Sequence, residues 1–505
     1  MTEKQDDFLY DRLGPWPQPN PILPNQTFPT VVHVPKQESW QYEWYIGLRY
    51  YTQIIYLNPW ALWYAFKNPG LAPLPDADFC DFLCIRSFSK FLNGVTHEQI
   101  VALMPGIDAS KLKSDRLYYI SDQYLMARVP SQEGLFTAPT VSLFSRASLD
   151  TYEYTAEAIW VQADAGTSTV LYPADGQAWE LAKYYAVEGC AYRLVLSIHS
   201  IMHFPMDIVN SITKTALPTK HLLFKLLYAH FDFSLELNLG VQTSYSSPIK
   251  NHWEFPYTGM TGTAAQIAEL FAASYEGIEG HYVTYPPFHF NVTPMIGIDT
   301  MYADFQREYY ACCLKFVKKV LAKLSDDEKA VIPQWADYIS GWINRHVKHD
   351  DAYMDHTLRH FPDGSEIFKV LPDGDNLLDK VVAKIIWDLT VGHAGDHYDF
   401  AMMDMTQVAM RLRVPAPDSN KIPYYDPKKL RTFIDTYKHR MLWRIFFLPT
   451  NVTFFYDVDY KFDDPILQHY NREFLVDLQK TEDELATKGI RNFLPLKKIS
   501  RSIQY

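Results

Sequence analysis

Two pairs of histidines, each with three residues between its members, constrain this chain more than any other feature of its sequence. The first pair is His199 and His203, and the second is His393 and His397. Residues four apart lie on the same face of an α-helix, so each pair places two imidazoles side by side. If the two helices pack together, four imidazole nitrogens converge on one point. The pattern therefore predicts a metal site between two neighbouring helices.

The segments that carry these pairs are apolar on nearly every face, from Val195 to Phe204 and from Lys384 to His393. Helices of this kind are typical of the centre of a large protein. Four buried imidazoles without partners would cost on the order of several kcal/mol, and a metal removes that cost. The alternative is that they are hydrogen-bonded core histidines. Neither pair has a nearby thiolate, which argues against structural zinc, and imidazoles with open positions favour non-haem iron or manganese.

The composition favours one large domain. The chain has 505 residues, of which 48% are hydrophobic, and no Gly/Ser linker or repeat divides it. We expect a Pro-rich and irregular N-terminal segment at 1–40 and a single domain at 41–505. The net charge of −12 is spread evenly, without a basic patch, so nucleic acid is not an expected partner.

The location expected from the sequence is cytoplasmic. The N-terminus lacks an apolar signal-peptide core, and no segment has the composition of a transmembrane helix. The five cysteines form no disulfide framework and suit a reducing compartment. Cys80 and Cys84 are four residues apart, and we predict buried thiols there rather than metal ligands.

The pattern of apolar residues predicts a mainly α fold with a small β-rich region at about 116–172. The aromatic stretch from Trp44 to Phe66 is expected to form two helices broken at Asn58-Pro59. Its aromatic side chains indicate core packing, with a lipid-facing or pocket-covering surface as the alternative.

Two further boundaries are expected. The long helix that begins near Trp179 should end near Pro205. The last residues, from Asn492 to Tyr505, look extended and apolar enough to pack inward.

Several segments, in order along the chain, resemble the catalytic domain of lipoxygenases. Two of them are the histidine pairs themselves, the second preceded by an Ile-Ile-Trp run. The others are similar to family motifs at Arg116–Asp122, Trp179–Lys183, Lys220–His230, Leu235–Asn238 and Ile499–Tyr505. The resemblance covers roughly 90–505 and extends to the last residue, whereas the family's N-terminal β-barrel lipid-binding domain has no counterpart in the sequence.

The resemblance implies a large helical catalytic domain with a small β subdomain. It also implies that His199, His203, His393 and His397 bind a non-haem iron, or alternatively manganese, together with the terminal carboxylate of Tyr505. His221 and His230 belong to a signature segment and are interpreted as structural. Lipoxygenases abstract a hydrogen from a bisallylic carbon and add O2, so the expected partners are O2 and a polyunsaturated fatty acid or other apolar polyene.

The sequence departs from the family pattern near the expected metal. The first pair has three intervening residues where the family usually has four, so a regular α-helix would align it. Glutamines that the family commonly places near the ligands are replaced here by Val195 and Phe400. Asp396 is expected to face either solvent or a ligand, and Tyr505 replaces the usual terminal Ile.

These departures leave three functional hypotheses. The first is a dioxygenase that forms lipid hydroperoxides. The second is a lipoxygenase-like hydroperoxide isomerase or specialised-metabolite oxygenase. The third is an inactive lipid-binding homologue. The sequence does not identify the residues of the substrate pocket, and peripheral membrane contact is an open expectation.

Overall fold

The computed structural model describes residues 34–243, 300–343, 361–402, 407–418, 426–446, 452–490 and 493–504, with single gaps at 113, 115, 130 and 165, and isolated positions between 274 and 298. Helices dominate these residues. In chain order, α1 to α14 are Lys36–Lys67, Asp76–Cys80, His97–Leu103, Gln123–Met126, Gln177–Tyr192, Ser200–Ala216, Leu222–Tyr228, Ser234–Thr243, Met301–Leu321, Asp326–Ile343, Leu377–Trp387, His393–Met402, Phe433–Phe446 and Pro465–Thr487.

A five-stranded antiparallel sheet accounts for the predicted β-rich region. Its strands lie in sequence order, with β1 to β5 at Asn93–Val95, Leu117–Ser121, Thr140–Arg146, Tyr154–Asp164 and Thr167–Leu171. Alternate residues of β3 and β4 face opposite sides, and both sides are buried: Val141 and Trp160 pack with Ile100, while Phe144 and Ile159 join the main core. The sheet packs against α5, which leads into the first histidine pair.

The aromatic N-terminal stretch forms one continuous helix, so the predicted break at Asn58-Pro59 is wrong. α1 passes through Pro59 and begins at Lys36, inside the segment expected to be irregular. A proline removes only one backbone donor, and packing of the helix against α13 outweighs that loss. Ala61 and Ala65 are buried on the inner side of the helix, and Arg440 of α13 lies over the ring of Tyr64 at 4.4 Å.

Each histidine pair follows a π-helical turn. Arg193–Ile198 joins α5 to α6, and Asp388–Gly392 joins α11 to α12. The prediction that the first helix ends near Pro205 is wrong, because α6 continues to Ala216. Almost the whole of α6 is buried, and its packing tolerates the single missing donor.

The C-terminal segment is extended and packs inward, as predicted. Between residues 493 and 504 it contains one 3-10 turn and a bridge between Phe454 and Ser500. Ile499 and Ile503 are fully buried. Among the described helices, none combines the length and the hydrophobicity that a bilayer crossing requires.

Candidate metal centre

The four histidines of the two pairs form one cluster. One ring nitrogen from each lies within 4.8 Å of those of the other three. The Nε2 atom of His199 is 2.7 Å from Nε2 of His203 and 2.6 Å from Nε2 of His397. The ring centroids of His393 and His397 are 4.5 Å apart. The structure therefore brings all four predicted ligands together.

The helical segment is irregular just before the first pair, whereas the pair itself lies on α6 and its N-cap, in agreement with the α-helical spacing. The amide of His199 donates to the carbonyl of Leu194 at 2.9 Å, a bond that spans five residues rather than four. His199 lies where this wider turn meets α6. The irregularity precedes the pair, so the three-residue spacing itself still places both rings on one side.

Burial keeps three histidines of the cluster, His199, His203 and His393, uncharged at neutral pH. Removal from water disfavours the imidazolium form, and it lowers the pKa of His203 to about 4. The pKa values of His199 and His393 lie well below the usual range, first because of burial and then because neighbouring histidines repel a second charge. Neutral rings present the nitrogen lone pairs that a metal requires.

Asn238 fixes the orientation of His203. Nδ1 of His203 is 2.8 Å from Oδ1 of Asn238, so the ring donates there and directs Nε2 into the cluster. The amide of Asn238 in turn donates to Asp207 at 2.6 Å and to the carbonyl of His203 at 3.2 Å. A hydrogen bond of this kind sets the tautomer of a histidine that binds a metal.

Asp396 faces a predicted ligand, His199, rather than solvent. Its side chain is 2% exposed, forms an ion pair with Lys90, and has Oδ2 3.5 Å from Nδ1 of His199. The adjacent Gly395 permits this arrangement, because a Cβ there would lie 2.6 Å from Nε2 of Gln306 and 2.9 Å from the hydroxyl of Tyr302. α9 can therefore approach α12 closely beside the histidines.

The cluster fits a first-row metal ion. Metal–imidazole bonds of about 2.0–2.1 Å place the donors of one ion roughly 3–4 Å apart, so the observed separations require only small ring movements. Three Nε2 atoms point at one another, which is unfavourable for neutral rings unless a cation or a shared proton lies between them. His199 is 12% exposed, so the cluster is not sealed on that side.

The same fold occurs in solved lipoxygenase structures. A calcium-dependent 11R-lipoxygenase matches with a TM-score of 0.65 at 13% identity, over 85% of this chain and 65% of its own length. Coral 8R-lipoxygenase matches with a TM-score of 0.66 at 13% identity, over 96% of this chain and 76% of its own. The chain has the lipoxygenase fold.

A lipoxygenase in complex with arachidonate matches with a TM-score of 0.64 at 14% identity, over 93% of this chain and 75% of its own. The chain thus spans about two thirds of the 11R-lipoxygenase and three quarters of the other two. No family model and no curated protein sequence matches it.

Buried contacts hold the C-terminal segment of this chain in place. His230 donates from Nδ1 to the carbonyl of Arg501 at 2.6 Å, and its Nε2 accepts from the hydroxyl of Tyr460. The guanidinium of Arg501 pairs with Asp232. Gln504 is buried, and its side chain accepts from the amide of Thr453 at 3.2 Å. Tyr505, the fifth predicted ligand, lies outside the described residues.

The two apolar residues that replace the family's glutamines lie on the helical segments that carry the histidine pairs. Val195 is half-buried in the first π-helical turn, and Phe400 is in α12, with its side chain outside the described part. The polar contacts described for the histidines of the first pair come instead from Asn238 and Asp396. The motif around Asn238 was visible in the sequence, whereas nothing local to Lys90 indicated its approach to Asp396.

Cysteine takes no part in the cluster. Cys80 and Cys84 are buried free thiols, and burial raises the pKa of Cys80 to about 12. A protonated thiol is a poor metal ligand. His221, in contrast to the four clustered histidines, caps α7 by accepting from the amide of Leu223 at 3.1 Å and donates to the carbonyl of Glu328.

Proposed function

We propose that the chain is a non-haem metal dioxygenase that inserts O2 into polyunsaturated fatty acids. The observation that carries the proposal is the convergence of four imidazoles, three of them buried, from two helices in a lipoxygenase fold. His199, His203, His393 and His397 would hold iron or manganese, with the carboxylate of Tyr505 supplying negative charge. When bound, such a metal supplies the one-electron oxidation that removes a bisallylic hydrogen.

The chain's own residues would prepare the site for that chemistry. Asn238 fixes the Nδ1–H form of His203, which leaves its Nε2 lone pair directed into the cluster. Helices that are buried on all sides keep water away from the ligands, and water exclusion protects a reactive lipid radical. The partial exposure of His199 marks the side on which a substrate carbon and O2 would approach.

Oxygen consumption tests the proposed function. We expect the purified protein to consume O2 with linoleate or arachidonate and to form a product with conjugated-diene absorbance. An oxygen electrode and ultraviolet spectroscopy, run together on the metal-loaded protein, measure both. Absence of both signals across a panel of polyunsaturated acids would contradict the dioxygenase hypothesis.

A hydroperoxide isomerase is the second candidate. Val195 favours it, because a valine cannot form the polar contacts of the glutamine that lipoxygenases commonly place there. Turnover of a fatty-acid hydroperoxide without O2 uptake would support this candidate. Tight fatty-acid binding without either reaction would instead support the inactive lipid-binding homologue.

We also propose that α1 contacts a lipid surface. Large apolar side chains are exposed in two groups, near the start and near the end of α1, which we together call the apolar stripe. The large exposed side chains of the stripe are Trp40, Trp44, Leu48, Trp60, Leu62, Trp63 and Phe66. Trp44 and Trp60 are each 69% exposed. Exposed patches of this size mark interaction sites, and tryptophan suits the boundary between water and lipid.

Cations at one end of the stripe favour a bilayer as the partner. A groove of about 470 Å³ opens at the end of α1, and both Lys67 and Arg440 line it. In this groove the ammonium of Lys67 lies over the Trp63 ring at 4.8 Å. Long basic side chains of this kind reach lipid phosphates while their stems stay on apolar surface.

Replacing Trp60 and Trp63 with Ser should weaken binding to phosphatidylcholine–phosphatidylserine vesicles, measured by sedimentation, by at least about tenfold. Each replacement removes a large apolar surface that would otherwise leave water on binding. Val476→Ser is the matched control, since Val476 is 66% exposed on α14, away from the stripe. Unchanged vesicle binding in the double variant contradicts the proposal. So does a loss of self-association without a change in vesicle binding, which would indicate that a second copy of the chain covers the stripe.

A further inference from the structure

A buried ion pair lies directly behind the histidine cluster. Lys90 belongs to the 3-10 turn Ser87–Phe91, and Asp396 lies between His393 and His397 on α12. Each side chain is 2% exposed. Lys90 is also held by its surroundings: its ammonium lies 5.5 Å from the centre of the Tyr302 ring. The pair therefore joins a distant part of the chain to the helix that carries the second histidine pair.

Asp396 uses its two oxygens differently. Oδ1 accepts from the ammonium of Lys90, and Oδ2 lies 3.5 Å from Nδ1 of His199. On the other side of the same ring, Nε2 of His199 faces His203 and His397. The buried Nδ1 of His199 has no hydrogen-bond partner among the described residues. A small rotation of the ring would bring it within hydrogen-bonding distance of the carboxylate.

The two histidines of the first pair are thus oriented by chemically different groups. Behind His203 is the neutral amide of Asn238, whereas behind His199 is a carboxylate. A carboxylate that accepts from Nδ1–H fixes the tautomer with a free Nε2 and makes the imidazole a stronger donor. An isolated carboxylate would be costly to bury here, and the ammonium of Lys90 offsets that cost.

We propose that Lys90 and Asp396 are positioning residues for His199, which aim its Nε2 at the metal and strengthen its donation. The proposal rests on the proposed function only in that the cluster binds a metal. The carboxylate favours the more highly charged state of that metal, and Lys90 keeps the carboxylate in place. Neither residue touches the metal or the substrate.

The test compares Asp396→Asn with a matched control, Asp388→Asn. Asp388 forms a second buried ion pair, in which its two carboxylate oxygens lie 2.5 and 2.6 Å from the ammonium of Lys384. This pair precedes His393 on the same helical segment. Fe²⁺ alone is titrated against a competing chelator, and the Fe³⁺/Fe²⁺ midpoint potential is measured. We expect Asp396→Asn to weaken Fe²⁺ binding by about 10–100-fold and to raise the potential.

Lys90→Arg keeps the positive charge and should retain most of the wild-type affinity for Fe²⁺, whereas Lys90→Met should lose it. Asp388→Asn should lower thermal stability and leave both metal readouts unchanged. If Asp396→Asn and Asp388→Asn lose stability equally and neither changes Fe²⁺ affinity or potential, the pair is only structural and the proposal is wrong.

A metal-free readout separates this proposal from the proposed function. Spectra of protein labelled with ¹⁵N-histidine report the tautomer of His199. We expect the Nδ1–H form in the wild type and its loss in Asp396→Ala, which removes the acceptor oxygens altogether. A wild type that binds no iron or manganese refutes the metal centre, yet the tautomer still tests the pair. An unchanged tautomer in Asp396→Ala refutes the positioning role even when the protein binds metal.

Discussion

His393→Ala should reduce the bound iron or manganese to background and abolish oxygenation. His393 is fully buried and comes from the second of the two helices that meet at the cluster. Its loss removes one donor and leaves a cavity where the ring had been, so the three remaining histidines would be misaligned as well as too few. Elemental analysis of the purified variant, together with oxygen uptake, measures the effect.

His439→Ala provides the control for losing a buried imidazole. His439 is also almost fully buried, but its Nδ1 lies 2.8 Å from the guanidinium of Arg431 and outside the cluster. We expect this variant to melt at a lower temperature and to retain its metal. Equal metal loss in both variants would indicate global unfolding, and full metal in His393→Ala would remove that histidine from the ligand set.

Residues appended after Tyr505 should cause the second large loss of metal. The preceding segment is buried: Ser500, Ser502 and Ile503 are all inaccessible to solvent. An extension converts the carboxylate to an amide and must be accommodated where the chain is already packed. Without the anion, four neutral imidazoles hold a cation whose charge is uncompensated in a low-dielectric site. We expect metal content and turnover to collapse while circular dichroism keeps its helical signal.

Two comparisons isolate the carboxylate. The same residues appended before Met1 should leave the metal unchanged. Tyr505→Ile preserves the carboxylate on a different side chain and should retain the metal. A C-terminally extended protein with full metal and full activity would show that Tyr505 is not a ligand.

Local patterns predicted the features that depend on neighbouring residues. The spacing of His199 and His203, and of His393 and His397, predicted a shared cluster because positions four apart lie on one helical face. The small sheet followed from short β-rich runs in β2, β3 and β4. The inward course of the tail followed from its apolar residues.

The predictions that were wrong, and the contacts that were missed, have a different cause. Pro59 and Pro205 were predicted to end helices, because a proline lacks a donor, but burial of the surrounding helix outweighs one missing hydrogen bond. The π-helical turns have no signature in the sequence. Lys90 and Asp396 are 306 residues apart, and a contact at that separation is determined by packing rather than by any local pattern.

The π-helical turns at Arg193–Ile198 and Asp388–Gly392 also determine where the chain can change in length. An α-helix rotates about 100° per residue, so deleting a residue elsewhere in α5 or α11 would re-aim every later side chain by that angle. A π-helical turn holds one residue more than the α-helical turn that could replace it. Deletion of that residue regularises the helix and preserves the rotational register of its two ends. Within α5–α6 and α11–α12 of this chain, a one-residue deletion is therefore tolerated best at these two turns, immediately before the histidines.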